Sequence, residues 1–445
     1  MHNRILTRII TRSAMHVDAT FSTSVGRRSW IMASLIIVVL FTLGATGSAL
    51  RKPVTQGFDE VAHVSYIAYL QATGQNWPRF AEMRMIDPTT FEFNTDQNYL
   101  NHPPFYYSLM AVLGPSVTGD PPSLIPIRLI NVAMAVFGLM ALLILGRHMN
   151  LGRLEFYAFA AMIAATPVLA PLAGAANNDN LGFAGGALSV LGLYAYSASF
   201  SRSWLIVACV GMIAASAAKL TGLILVGTTL SMTLMLVGMR HKVSRIDLLI
   251  VAGSLAVAAS PYFAFMIQYG SPAPDTPAQS ALLRNGADIA GWANEPRMAP
   301  AAFVAFFLKS FLKEWMPVLR PRNSLQLALL ILPATISLFS VAGWVVSLRA
   351  VLNRRPRPLD FLVVSGMASI ALTLAVHIAF SYQRHLQTGW VMDAYPRYYL
   401  PLIAIIPMAA LTFCSTVQSH LLRVVLVAFL IGAPVVFQIF GAPMG

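Results

Sequence analysis

Eleven apolar runs, most of them about 17–25 residues long, constrain the fold of this chain more than any other feature. One helix of that length crosses a hydrocarbon core of roughly 30 Å. Hydrophobic residues make up 57% of the chain and charged residues only 11%, a balance that a soluble domain of this size could not bury. The sequence therefore predicts an all-α, polytopic transmembrane helix bundle with about eleven spans. The runs are Trp30–Leu50, Ile125–Gly146, Phe156–Ala173, Leu181–Ser197, Trp204–Ala218, Leu220–Met239, Leu248–Gln268, Leu325–Leu348, Phe361–Phe380, Tyr399–Cys414 and Leu421–Phe440.

The basic residues predict the orientation of these spans. With a cytoplasmic N-terminus, 16 of the 30 Lys and Arg residues but only four of the 17 acids lie on the cytoplasmic side. Short loops rich in Lys and Arg are typical of that side. Residues 1–28 then form a disordered basic tail, and residues 29–445 form a single transmembrane domain. A cleaved signal peptide is the alternative, but the first run is longer than an ordinary signal core of about 7–15 residues.

Two long loops fall on the outer side of the membrane, residues 51–122 and residues 269–324. Within them, Phe105–Leu113 and Ala301–Met316 are apolar but too short to span, which predicts helices lying in the membrane interface. Long loops in a compact membrane domain are usually functional or disordered. Most of the acidic residues also fall on this side, so we expect any chemistry there. The net charge of +13 follows from the topology and does not indicate nucleic-acid binding.

The first candidate site is the acidic motif just beyond the first span. On a helix His63 shares one face with Asp59 and Glu60, which lie four and three residues earlier. Such a cluster could activate a hydroxyl, relay a proton or bind a cation. The alternative is that Asp59 only caps a helix that begins at Glu60.

Two further polar clusters are candidates for substrate binding. His102 precedes two prolines, which would present it stiffly to a polar cavity, although a plain turn before an interfacial anchor fits equally well. Asn177, Asn178 and Asp179 form a compact set of side-chain oxygens at the outer end of a span. They could bind sugar hydroxyls or a cation, or form only a polar turn.

Basic residues on the same side could bind a phosphate. Lys219 interrupts an apolar stretch too long for one crossing, and a lysine at that depth is commonly paired with an anion. Arg384 and Arg397, the latter followed by Tyr398, lie in the outer loop before the tenth span, where a guanidinium offers a fork of donors. Snorkelling of the lysine and contact of the arginines with lipid headgroups are the alternatives.

Together these motifs resemble the GT-C superfamily of polyprenyl-phosphate-sugar-dependent glycosyltransferases, closest to the bacterial branch related to protein O-mannosyltransferases and aminoarabinose transferases. The resemblance rests on the order and side of the motifs between Trp30 and Met408. They are Asp59-Glu60 with His63, His102-Pro103-Pro104-Phe105-Tyr106-Tyr107, Arg128-Leu129, Asn177-Asn178-Asp179, Lys219-Leu220-Thr221-Gly222 and Arg397-Tyr398-Tyr399-Leu400-Pro401.

The resemblance implies a multi-pass enzyme of the bacterial inner membrane whose active site faces the periplasm. Asp59 matches the family's catalytic base, with Glu60 and His63 beside it. The implied donor is a polyprenyl-phosphate-linked sugar, and the acceptor is a lipid or glycan. A protein acceptor is less expected, because no sizeable domain follows the last span. Some members of the family use a divalent cation, Mg²⁺ or Mn²⁺, for which Asp59 and Asp179 are the matching ligands.

Two other classes of membrane protein remain as alternatives. A transporter or flippase of lipid-linked sugars would place polar residues near mid-membrane, on a path between the two faces. In this sequence the ionisable residues gather at one face, which favours a one-sided site. A non-catalytic scaffold would have no use for acidic, histidine and basic clusters on the same face. The sequence does not indicate which sugar or acceptor is used.

Overall fold

The fold is described from a computed structural model of the chain. It describes residues 25–118, 123–292, 295–315, 329, 331–391 and 395–440, with the side chains of residues 312–315 and 439–440 left out. Almost all of the predicted N-terminal tail lies outside these residues, as do parts of both outer loops. The predicted bundle is confirmed, because the described residues form a series of helices with a single two-stranded hairpin among them.

Eight described helices are long and apolar enough to cross a membrane, and a ninth span is counted if one bent pair is included. The predicted number of eleven is therefore not confirmed. The eight helices are Arg27–Arg51, Ile125–His148, Asp179–Ser199, Leu220–Gly238, Arg245–Tyr269, Ile331–Leu352, Pro358–Thr388 and His420–Phe440, the last counted to Gln438.

The other three predicted spans are helical but short or broken. The run after the second span divides into helices Arg153–Ala164 and Leu169–Ala173. Pro167 lies between them, and a proline cannot continue a helix without the loss of a backbone hydrogen bond. Arg202–Ala218 is continuous but has only 17 residues. The bent pair is Pro396–Leu402, a 3₁₀ helix, and Ile405–Ser415, which meet at 67°.

The helix Asp179–Ser199 forms the centre of the bundle. Its most apolar stretch is 89% buried, whereas that of the first span is 11% buried and turns its large side chains outward, toward lipid. Small residues let neighbouring backbones approach the central helix closely. A side chain at Gly186 would collide with the backbone of Pro401, so this glycine allows the Pro396–Leu402 turn to pack against the helix. That contact brings two distant parts of the sequence to the same end of the bundle.

The outer segments add short elements at that end. Helix Glu60–Thr73 follows the first span, and strands Arg84–Ile86 and Phe93–Gln97 pair in an antiparallel hairpin, a small departure from the predicted all-α fold. The predicted interfacial segments are helices Phe105–Leu113 and Pro300–Trp315. One further helix, Pro277–Ile289, was not predicted from the sequence.

Candidate active site

A cavity of about 300 Å³ lies at this end of the bundle, a volume at the lower end of the range for small-molecule sites. Its walls come from segments far apart in the sequence: the turn before helix Glu60–Thr73, the chain after the hairpin, the break before helix Leu220–Gly238, helix Pro277–Ile289 and the Pro396–Leu402 turn. Six of the predicted site residues line it, namely Asp59, His63, His102, Lys219, Arg397 and Tyr398.

Four charged side chains form an alternating chain of ion pairs at this cavity. Nη2 of Arg397 lies 2.6 Å from Oδ2 of Asp59, and its Nε lies 3.3 Å from Oδ2 of Asp179. The other oxygen of Asp179 accepts a hydrogen bond of 2.7 Å from Nζ of Lys219. Each positive charge thus faces a carboxylate. Tyr398 supports both cations, with Nζ of Lys219 4.1 Å from its ring centre.

The Asp59 carboxylate is the most accessible member of this chain, with 41% of the side chain exposed. It lies on a turn in which three successive residues, Gly57, Phe58 and Asp59, have positive φ of 89°, 62° and 58°. Glycine adopts this conformation freely, but the other two residues are strained by an amount of order 1–3 kcal/mol each. The turn ends the path from the first span and starts helix Glu60–Thr73 with the carboxylate facing the cavity.

The charge of Arg397 and two hydrogen bonds together determine the protonation of Asp59. Burial raises the pKa of this carboxyl, but the positive charge of Arg397 and the hydrogen bonds from Arg397 and Tyr99 outweigh it. The net result is a pKa below the usual range, so Asp59 is ionised at neutral pH. Tyr99 donates its hydroxyl to Oδ1 at 3.0 Å, which leaves the carboxylate held at both oxygens.

The two histidines of the cavity differ in their bonding. Nε2 of His63 accepts from the Asn177 amide at 3.0 Å, so its other nitrogen has the proton and donates to the Tyr107 hydroxyl at 2.9 Å. The ring of His102 lies 6.1 Å from that of His63 and makes no hydrogen bond to the described residues. Burial, together with the nearby charge of Lys219, lowers the pKa of both rings well below the usual range. Both imidazoles are neutral, and His102 has nitrogens available to a ligand.

Glu60 lies on the other side of the turn, away from the cavity. Arg128 binds both of its oxygens, with Nε at 2.7 Å and Nη2 at 2.6 Å, and Glu60 is only 1% exposed. The backbone N–H of Ala176 also donates to it at 2.8 Å. The same arginine donates to the carbonyls of Ala49 and Lys52 at the end of the first span. Glu60 therefore ties three segments together.

Four other predicted site residues are also not in the cavity lining. One of them, Asp179, is connected to the cavity through its pairs with Lys219 and Arg397. Asn177 and Asn178 are fully buried and bond to protein groups. Arg384 does not line the cavity, but it pairs with Asp275, just before helix Pro277–Ile289. It therefore anchors a helix that forms part of the cavity wall. Asp393, in the same outer loop, lies outside the described residues.

Several cavity residues were missed by the sequence analysis. Tyr99 contacts the candidate base, and its position depends on the buried Asn98, which bonds to the carbonyl of Ala62 and the N–H of Leu100. No local pattern marks it. The missed helix Pro277–Ile289, which contributes Gln279 to the wall, had a usable signal: Thr276 caps it and Pro277 occupies its first turn.

The residues at the cavity do not fit a divalent cation. Asp59 and Asp179, the ligands that the resemblance implies, already share Arg397, and Lys219 occupies the second oxygen of Asp179. A metal between them would have to displace two cationic side chains. Among the described residues no three His, Cys, Asp or Glu side chains are grouped closely enough to hold a metal ion.

No protein-family model and no curated protein matches the sequence. The solved structures that are similar to this chain include two of ArnT from Cupriavidus metallidurans. The apo state has a TM-score of 0.49 and 14% identity, and the match covers 87% of this chain and 60% of that one. The structure bound to undecaprenyl phosphate has a TM-score of 0.40 and 14% identity, with coverages of 92% and 78%. This chain thus spans about 60% of the length of the first. Because both TM-scores are below 0.5, a functional assignment must rest on the chain's own residues.

Proposed function

We propose that this chain is a membrane glycosyltransferase of the bacterial inner membrane, which moves a sugar from a polyprenyl-phosphate donor to an acceptor hydroxyl at the periplasmic face. The observation that supports it is the shared cavity, in which an accessible carboxylate lies beside a lysine and an arginine. The residues that resemble the GT-C superfamily in the sequence supply most of these groups. A lipid donor would reach such a site laterally from the bilayer.

In the proposed reaction Asp59 acts as general base. The acceptor hydroxyl gives its proton to the carboxylate while its oxygen attacks the anomeric carbon, and the bond from that carbon to the phosphate oxygen breaks. A carboxylate within hydrogen-bond reach of the hydroxyl is suited to this transfer. A single displacement inverts the anomeric centre, and polyprenyl phosphate leaves with the bonding electrons.

Lys219 and Arg397 would stabilise the charge that gathers on the departing phosphate. Lys219 uses one donor for Asp179 and keeps its other N–H groups for a ligand. A phosphate bound to Arg397 also competes with Asp59 for the guanidinium. Losing that cation would raise the pKa of Asp59, so donor binding strengthens the base when it is needed. No step in this scheme uses a metal.

The neutral ring of His102 is proposed to contact the sugar or the acceptor. A neutral imidazole can donate one hydrogen bond and accept another, which suits recognition of hydroxyl groups. Glu60, which does not line the cavity, is proposed to act on the turn and not on the substrate. The acceptor is proposed to be a lipid or glycan.

The test is a deletion strain of the source bacterium whose envelope glycans and lipid-linked sugars are compared with wild type. A transferase predicts that one glycan modification disappears and that its polyprenyl-phosphate sugar accumulates in the periplasmic leaflet. A flippase, the rival function, predicts accumulation in the cytoplasmic leaflet. An unchanged glycan profile would contradict both functions.

A further inference from the structure

The triplet Asn177-Asn178-Asp179 holds three different segments of the cavity at once. Asn177 bonds to the turn that bears Asp59, Asn178 donates to the carbonyl of Ala218 at 2.7 Å, and Asp179 pairs with the two cations. All three side chains are buried at the start of the central helix Asp179–Ser199. Because that helix is the most buried span, the triplet is a rigid base for the segments around it.

Every polar atom of the Asn177 side chain has a protein partner. Its oxygen accepts from the backbone N–H of Asp179 at 2.8 Å, which fixes the orientation of the amide. Its nitrogen then donates to the carbonyl of Phe58 at 2.7 Å and to Nε2 of His63 at 3.0 Å. Both groups flank Asp59, one immediately before it and one four residues after. With no exposed surface, Asn177 has no free atom for a sugar.

The turn needs such support because two of its three left-handed residues are not glycine. Strained conformations of this kind persist only where the surroundings determine them. The Phe58 carbonyl is the point at which Asn177 holds the strained backbone. Released from it, Phe58 would relax toward negative φ, and the next peptide would turn the Asp59 side chain away from Arg397.

We propose that Asn177 is a positioning residue, which keeps the Asp59 carboxylate in the cavity by holding the left-handed Gly57–Asp59 turn through the Phe58 carbonyl and the His63 ring. The inference rests on the proposed function. It gives Asn177 a role in placing the base, whereas the sequence left open contact with sugar hydroxyls, contact with a cation or a plain polar turn.

A double-mutant cycle tests the proposal, because glycine adopts positive φ without strain and should make the support unnecessary. The variants are Asn177→Ala, Phe58→Gly and the pair together, assayed in membranes at equal protein level with the lipid extract of the deletion strain as donor. We expect Asn177→Ala to lower the transfer rate about tenfold, equivalent to ~1.4 kcal/mol. In the Phe58→Gly background the same substitution should lower the rate by less than about threefold.

Asn178→Ala is the matched control. It removes an equally buried asparagine of the same triplet, but one that holds the backbone before Lys219, so Phe58→Gly should give it no relief. Equal losses for Asn177→Ala in both backgrounds, or no loss in either, would overturn the proposal. If Asn177→Ala does not accumulate, recovery of both protein and rate in the double variant supports it, and a double variant that stays absent or inactive overturns it.

Asp59→Asn in the same membranes separates this inference from the proposed function. If Asp59→Asn transfers as well as wild type, the assignment of the base fails. If Asp59→Asn is inactive while Asn177→Ala is unaffected or is not rescued, only the positioning role fails.

Discussion

Carboxylates at the two ends of the bundle pair with cations in different ways. At the inner end, which the charge pattern assigns to the cytoplasm, Asp360 pairs with Arg357 three residues earlier. Asp247 closes a capping box with Ser244 and also pairs with Arg202, 45 positions earlier. At the outer end, Asp59 pairs with a residue 338 positions away, and Glu60 with one 68 positions away. The inner carboxylates mainly begin their own helices, whereas the outer ones join segments that only the fold brings together.

This difference between the two ends indicates that substitutions at the outer end should change function and those at the inner end should change stability. A capping carboxylate is worth about 0.5–2 kcal/mol to its own helix. A carboxylate that holds a distant segment at a cavity determines the shape of that cavity. The helix Asp179–Ser199 connects the ends, with Asp179 in the outer network and Tyr196 within hydrogen-bond distance of Asp247 at the inner one. We therefore expect outer substitutions to affect transfer or assembly and inner ones to affect stability alone.

The largest expected effect is on Asp59→Asn, which should abolish transfer. The amide cannot accept the proton of the acceptor, and general base catalysis typically contributes about 10²–10⁴-fold. The side chain is partly exposed, so thermal unfolding in detergent should stay near wild type. The measurement is the transfer rate in membranes with equal amounts of protein. Retained turnover would remove Asp59 as the base.

Glu60→Gln, one residue further on, should instead destabilise the protein. It leaves the buried charge of Arg128 without its partner, a change that costs roughly 3–5 kcal/mol. We expect a lower unfolding midpoint and less protein in the membrane. The pair Glu60→Gln with Arg128→Met removes both charges and should recover part of the loss. A Glu60→Gln protein of normal stability but without activity would indicate that Glu60 takes part in catalysis.

Lys219→Met should weaken binding of the proposed polyprenyl-phosphate ligand about tenfold or more, because a hydrogen bond from a charged donor contributes about 1.5–3 kcal/mol. Methionine preserves most of the side-chain volume. The dissociation constant is measured with purified protein in detergent. Arg153→Met, at an exposed cation of the inner end, is the control and should bind normally. Equal affinity of Lys219→Met and wild type would contradict a phosphate role.

The pH dependence of transfer should reveal the pairing of Asp59 with Arg397. The pKa of the carboxyl is lowered in the folded protein, so the base stays ionised as the pH falls through the ordinary value of about 3.9 and is lost only below it. The stability that this ion pair contributes depends on pH in the same direction. It is fully present above the pKa that Asp59 has in the unfolded chain and is lost as the pH falls through the lower pKa of the folded protein. Arg397→Gln should raise the pKa of Asp59 and so shift the acid limb of the pH–rate profile to higher pH. An unmoved limb would mean that Arg397 does not set this pKa.

The sequence predicted what depends on local pattern. Over its described residues, each of the eleven apolar runs coincides with one or more helices, and the polar motifs were assigned to one face from topology alone. Whether a run is one span was less predictable, since the bend of 67° at Ile403 and Ala404 follows from packing against the central helix. The motifs also did not distinguish cavity residues from their supports. Asp59 and Glu60 are adjacent, yet a left-handed turn, which only the fold can impose, sends them to opposite sides.

The smallest expected effect is on Asp360→Asn at the inner end. Asp360 accepts from the backbone N–H of Arg357 at 2.8 Å and from the Ser347 hydroxyl at 2.9 Å, and asparagine can keep one of these bonds. Because half of the Arg357 side chain is exposed, the ion pair itself adds little. We expect a loss of about 1 kcal/mol in unfolding free energy and an unchanged transfer rate. If Asp360→Asn slowed transfer at normal stability, the two ends would be coupled through the bundle, and the separation of stability from function would not hold.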